Sequence, residues 1–272
     1  MSRKTKSLIA GGLTSSAGIF ITKILGIVYV PFLTALAGGS SLAFYGKAYA
    51  YYDYILIISS AGIPFAISTM VAKYYGRNDY KTMLLVRKIG LGVTLSLGFI
   101  TAVLFFSLSG VIATNISSVN MSAEDIQKTI NVYKIISLAL FVVPLLSGFR
   151  GFFQGIKDFK TYAFSQVLEQ VARVLFMICI GSLAIYVFQK EAIWAEYIAV
   201  ASASFAALVA IIHLVFFKRE EVSQIQSLAN TQSSQAAEIK PLLKEFAYFS
   251  IPYLLYAILA LFPNIAYSKY GI

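Results

Sequence analysis

One cysteine, one histidine and one tryptophan occur in the 272 residues. A lone Cys179 excludes an intramolecular disulfide and any cysteine-built metal cluster. His213 stands alone at the end of an apolar run and reads as a packed or interfacial residue rather than a ligand, so no metal site is expected. Charge is scarce as well: 12% of residues against about a quarter in soluble domains. No Walker A sequence, HExxH or GxSxG occurs. Their absence argues against ATP-driven transport by this chain and against hydrolytic chemistry. The chain is not read as an enzyme, and no cofactor is expected.

What the sequence has instead is apolar length. Hydrophobic residues make up 58% of it, and the mean hydropathy is +0.76. Runs of about 20 apolar residues follow one another, the pattern of membrane-crossing helices and not of alternating barrel strands. The fold class is therefore an all-α integral membrane protein. Seven spans are predicted, at 8–37, 45–72, 89–114, 132–154, 162–188, 195–217 and 246–268. The opening MSRKTKSLIAGG is basic and then apolar, but the run continues too far for a signal peptide, so it reads as an uncleaved first helix.

The net charge of +10 has a membrane explanation. With the N-terminus placed in the cytoplasm, 15 Lys and Arg fall on the cytoplasmic side and 5 on the outer side. That bias fits the positive-inside rule. It also spreads the basic residues over short turns, which argues against nucleic acid as a partner.

One connection is long: KREEVSQIQSLANTQSSQAAEIKPLLKE, residues 218–245. Its Gln, Ser and Ala content predicts a flexible cytoplasmic linker, helical in part. It separates a six-helix lobe (1–217) from a seventh helix (246–272), which reads as the first helix of a second lobe. Between spans three and four, Ser122 is placed as a helix N-cap with Glu124 and Asp125 in the first turn. No internal repeat stands out.

Several polar residues lie where hydrocarbon would be costly. Glu169 and Arg173 in SQVLEQVARV are four apart and share a helix face, the acid preceding the base. With Ser165 or Gln166 they form a polar stripe on the cytoplasmic half of span five. Such charges face a protein interior or a watery cavity, so the stripe either locks two helices together or lines a cavity. Lys23, in AGIFITKILGIVYVPF, lies about 22 Å along its helix from Leu8. It reads as an anion site or as a charge partner of Asp53 or Glu169. Gly26 and Pro31 permit a bend beside it. Asp53 sits among Tyr45, Tyr49, Tyr51, Tyr52 and Tyr54, either as neighbour of an aromatic belt or as a cavity carboxylate for a coupling ion. Gly62 and Pro64 in SSAGIP predict a kink. Arg150 in FRGFFQG is an interfacial anchor or a phosphate contact.

FRGFFQG (149–155) followed by SQVLEQVARV (165–174) resembles the paired signature of the SpoVB/YtgP branch of bacterial polysaccharide-type transporters. These belong to the multidrug/oligosaccharidyl-lipid/polysaccharide exporter superfamily, with the MurJ-type lipid II flippases. ITKILGIVYVPF (21–32) and SSAGIPFAISTMVAKYYGRNDY (59–80) are similar to that family's first two helices. The resemblance implies two six-helix lobes around a cavity that opens alternately to each side. This chain would cover one lobe and the first helix of the other, with the C-terminal lobe missing. It further implies a flippase for undecaprenyl-pyrophosphate-linked sugars in the bacterial inner membrane, with a coupling cation and membrane lipids as further partners. Lys23, Arg150 and Arg173 match the family's basic positions, and Glu169 its acid. Two departures stand out: Val30 replaces a first-helix arginine of many relatives, and arginines are fewer than in MurJ-type members. The alternatives are a cation-coupled drug exporter of the same superfamily and a non-transporting scaffold in envelope or spore assembly.

Overall fold

The computed structural model describes residues 3–38, 42–60, 62–116 and 122–270. Over these residues the chain is helical: α1 (Arg3–Ala37), α2 (Leu42–Ser60), α3 (Ile63–Gly76), α4 (Tyr80–Ile116), α5 (Ala123–Gly155), α6 (Phe159–Ser182), α7 (Ile193–Ile212), α8 (Arg219–Asn230) and α9 (Ile239–Tyr270). α6 and α7 each run on into a five-residue π-turn, Leu183–Val187 and His213–Phe217. Among the described residues seven stretches are long and apolar enough to cross a membrane, with α2 and α3 sharing one of them. The chain is a multi-pass membrane protein. α4 has 37 residues, about 55 Å at 1.5 Å per residue, so it overshoots a hydrocarbon core of about 30 Å.

α5 is the central helix, in contact with α2, α3, α4, α6 and α7. Its N-terminus has the N-cap expected at Ser122, whose hydroxyl accepts the Asp125 N–H at 3.1 Å and donates to the Asp125 carboxylate at 2.8 Å. α1 lies along α6 at glycine positions. A Cβ on Gly11 would strike the Phe159 ring, and one on Gly18 would fall 2.8 Å from the Ala163 Cβ. Small residues let two backbones approach closely, which is how helices associate where no water is present to drive them together. α1 itself runs unbroken through Pro31.

The second span does break. Gly62 has φ +78° and precedes α3, and Pro64 sits in the first turn of α3, where its missing N–H costs nothing. α9 packs into this notch: a Cβ on Gly62 would collide with the Ser250 carbonyl oxygen, and the Phe65 and Tyr253 rings lie 4.1 Å apart.

The connection 218–245 is packed rather than loose. α8 buries Ile225 and Ala229 against a core of α3, α4, α5 and α7, and α9 starts at Ile239, seven residues before the predicted 246, burying Leu242 and Phe246 in the same cluster. The polar residues between them are used as well. Gln232 bonds to the start of α4, the Ala237 N–H donates to Thr82 Oγ1 at 2.9 Å, and Glu245 pairs with Lys73 at 2.5 Å. A low-complexity composition concealed a strap whose few apolar residues fall on one helix face. The tyrosines of α2 also differ from a belt. Tyr52 is 3% exposed, and Tyr49 and Tyr51 pack with it against Tyr133 of α5 and its neighbours. Tyr54 is half-buried. The Tyr45 side chain lies outside the described residues.

Candidate functional site

α5 and α6 form an antiparallel hairpin about the turn at Lys157. Arg150 lies seven residues before that residue and Ser165 eight after it, so the two stand level. Arg150 Nε donates to Ser165 Oγ at 2.9 Å, and its Nη2 donates to the Ser165 carbonyl at 2.7 Å. Glu169 is one turn deeper. Its Oε2 meets Arg150 Nη1 at 2.8 Å, and its Oε1 meets Arg173 Nη2 at 3.3 Å. Arg173 Nη1 donates to the Tyr49 hydroxyl of α2 at 3.3 Å. The side chains of Arg150, Glu169 and Arg173 are 14%, 14% and 21% exposed. Two cations on one carboxylate leave the triad one charge positive. Asp53 of α2 is exposed, yet close enough to Arg173 for their charges to interact.

This arrangement changes the expected pairing. The i,i+4 contact of Glu169 with Arg173 exists, but the shorter contact is to Arg150, which also holds the Ser165 backbone. Arg150 is therefore not a surface anchor. It braces α5 to α6. Ser165 continues the polar stripe, and Gln166 is half-buried with no hydrogen bond among the described residues. Breaking a buried ion pair on one side costs about 3–5 kcal/mol, because the remaining charge is stranded. The shared carboxylate thus fixes α5, α6 and, through Tyr49, α2.

Lys23 stands apart. It occupies the middle of the first span, Ala10–Ala37, and its side chain is exposed. Among the described residues it forms no ion pair with Asp53, Glu169 or any other acid. At about 100° per residue it projects some 140° around α1 from Gly18, the residue that meets α6. Gly26 faces Gln170 of α6, its Cβ position 3.7 Å from the amide nitrogen. No cluster of three or more His, Cys, Asp or Glu fit to hold a metal occurs among the described residues.

One buried acid escaped the sequence reading. Glu196, in the first turn of α7, is 0% exposed. Its position resembled an ordinary N-terminal helix acid, and nothing in EYIAVASASF marks it as buried.

A family model described as "Polysaccharide biosynthesis protein" matches residues 8–270. Lipid II flippase MurJ of Bacillus subtilis (strain 168) is 29% identical over 255 residues, covering 92% of this chain and 46% of that protein. Stage V sporulation protein B of the same organism is 27% identical over 169 residues, covering 62% of this chain and 31% of that protein. The fold matches an outward-facing multidrug resistance MATE family transporter of the MOP superfamily, with a TM-score of 0.71 and 17% identity, over 93% of this chain and 52% of that one. The chain spans half or less of the length of these curated relatives.

Proposed function

The chain belongs to the polysaccharide biosynthesis protein family, and on that premise we propose that it works in a flippase. The cargo is an undecaprenyl-pyrophosphate-linked oligosaccharide, lipid II or a related cell-wall or polysaccharide precursor, moved across the bacterial inner membrane by alternating access. The observation that carries this reading is the likeness to a lipid II flippase over 255 residues, nearly the whole chain. In this reading the N-terminus is cytoplasmic, residues 1–217 form one lobe, 218–245 connect the lobes, and 246–272 begin the second.

The geometry suggests how the work is divided. A lysine exposed in mid-membrane is too costly to face lipid. Lys23 therefore faces an aqueous cavity closed by the opposing lobe and meets the anionic pyrophosphate there. Arg150 is committed to Ser165 and Glu169, so it serves as a brace. Arg173, with contacts of 3.3 Å to Tyr49 and to Glu169, is the arginine that turns toward substrate. Asp53 exchanges a coupling cation against the charge of Arg173. Gly26 and Pro31 in α1, with Gly62 and Pro64 at the α2–α3 break, absorb the rocking of the lobes. The test is complementation of a bacterium depleted of its lipid II flippase, using the full-length gene and its Lys23→Ala and Arg173→Ala variants. The parent should rescue growth and Lys23→Ala should not. Full rescue by both variants at parental expression would remove the anion-site reading.

A further inference from the structure

Two turns at the basic end of the bundle are copies of each other. GRNDYKT (76–82) joins α3 to α4, and GIKDFKT (155–161) joins α5 to α6. In each, the third residue has positive φ, Asn78 at 57° and Lys157 at 66°. In each, the aspartate N–H donates to an aromatic residue's carbonyl at 2.9 Å, Tyr74 or Phe153. In each, the aspartate carboxylate accepts the threonine N–H at 3.0 Å. Thr82 and Thr161 are 0% and 2% exposed.

The first copy holds the strap. The Gln232 side-chain oxygen accepts the N–H groups of Tyr80 and Lys81 at 3.1 and 3.3 Å. Lys81 Nζ donates to the Gln232 carbonyl at 2.7 Å, and Thr82 Oγ1 accepts the Ala237 N–H. The turn is thus a device that seats oxygen acceptors on a helix start and a lysine. The second copy has the same groups and none of these contacts. The Thr161 hydroxyl has no hydrogen-bond partner among the described residues, and Lys160 has no ion-pair partner there. Two cavities of about 300 Å³ flank Lys160 instead. One lies over Lys157 and Gly11, the other over Thr161, Phe164, His213 and Lys218.

Differences between the copies define the ligand. Lys157 replaces Asn78, and Lys218 adds a further cation, itself 2.9 Å from Glu221. Asp158 is engaged in capping Thr161. The two turns carry equal net charge, since Ile156 stands where Arg77 does, but in the second copy Lys157, Lys160 and Lys218 line the flanking cavities, so it suits anionic oxygens. It also lies at the membrane boundary, since Phe159 opens the fifth span and Phe217 closes the sixth. Phe164, Phe216 and Phe217, 53%, 68% and 76% exposed, supply apolar surface beside it. Basic pockets between helices at this level take lipid headgroups. We propose that the GIKDFKT turn binds the phosphate headgroup of an anionic phospholipid, with Lys157, Lys160 and Thr161 on the phosphate and Phe164 along an acyl chain. Lys160 is nine residues from Glu169, about 13 Å along α6, so the site is separate from the arginine triad and does not rest on the transport reading.

The test is a titration of the detergent-purified chain with phosphatidylglycerol and with phosphatidylcholine, read by native mass spectrometry and thermal stability. The parent should retain phosphatidylglycerol preferentially. Lys157→Asn, which restores the residue of the first copy, and Lys160→Gln should each weaken it about five-fold, and together on the order of 25-fold. Phosphatidylcholine binding and the lipid-free melting temperature should not move. Thr161→Val, close in shape, should weaken the lipid further. Unchanged phosphatidylglycerol binding in the double variant overturns the site. Displacement of the lipid by inorganic phosphate alone, or by a peptide of strap residues 228–238, overturns the lipid assignment in favour of a free anion or a second strap.

Discussion

Replacing Glu169 by glutamine keeps the volume and removes only the charge that two arginines share. The shorter contact, 2.8 Å to Arg150, and the longer, 3.3 Å to Arg173, correspond to about 6 and 5 kcal/mol of Coulomb attraction at an effective dielectric of 20, before desolvation is subtracted. The net loss is smaller. Removing one partner of a buried pair costs about 3–5 kcal/mol, and because the three side chains keep some exposure the lower end applies. About 3 kcal/mol corresponds to a fall in melting temperature of roughly 6–12 °C for a chain of this size. Thermal unfolding of the detergent-solubilised protein, followed by circular dichroism, measures it. The same distances set an order. In double-mutant cycles, coupling of Glu169 to Arg150 should exceed coupling to Arg173 by about 1 kcal/mol. A Glu169→Gln variant melting within 2 °C of the parent, or a larger coupling to Arg173, would refute the view that the carboxylate locks α5 to α6.

Three further outcomes follow from single positions. Gly62→Ala places a side chain at φ +78° against the Ser250 carbonyl, so it should cost about 1–3 kcal/mol and loosen α9, seen as a lower melting temperature and faster labelling of a cysteine introduced at Tyr253. Gln232→Ala removes the acceptor that seats the strap on α4, and tryptic cleavage within 218–240 should accelerate about ten-fold for a loss near 1.4 kcal/mol. Lys23→Gln should leave stability within about 0.5 kcal/mol of the parent, since the lysine contacts no acid among the described residues; a large fall in melting temperature would show that its charge is structural.

The spans were legible because nothing else accounts for seven apolar runs of that length, and Gly62 and Ser122 were legible because their local chemistry is sufficient by itself. Partners across helices were less so. The i,i+4 spacing of Glu169 and Arg173 is visible in one helix, whereas the contact with Arg150 depends on the hairpin turn and its register. Counting outward from Lys157 brings Arg150 level with Ser165, so the pairing could have been found once α5 and α6 were taken as adjacent. Glu196 gives no such handle, because burial in the first turn of α7 is set by the packing of α7 against α6, α5 and α1 and not by its own sequence. The strap misled because polar composition reports average solubility, not which few residues fall on one face. Ile225 and Ala229 are four apart, and that spacing was the available signal.

The repeated turn went unseen for a related reason. GRNDYKT and GIKDFKT share only glycine, aspartate, lysine, threonine and an aromatic position, too little to stand out in an apolar sequence. Each shared residue has a distinct job in the structure: the glycine closes a helix, the aspartate caps the next, and the lysine and buried threonine face what lies beyond. Apart from the aromatic, two positions differ: Ile156 stands in place of Arg77, and Lys157 in place of Asn78, which keeps the same left-handed backbone while moving the charge to the next residue. A backbone need alone would favour asparagine at both places, since it tolerates positive φ better than lysine. Keeping lysine at the less comfortable position is therefore best explained by its charge, and that charge sits over the cavity beside Lys160.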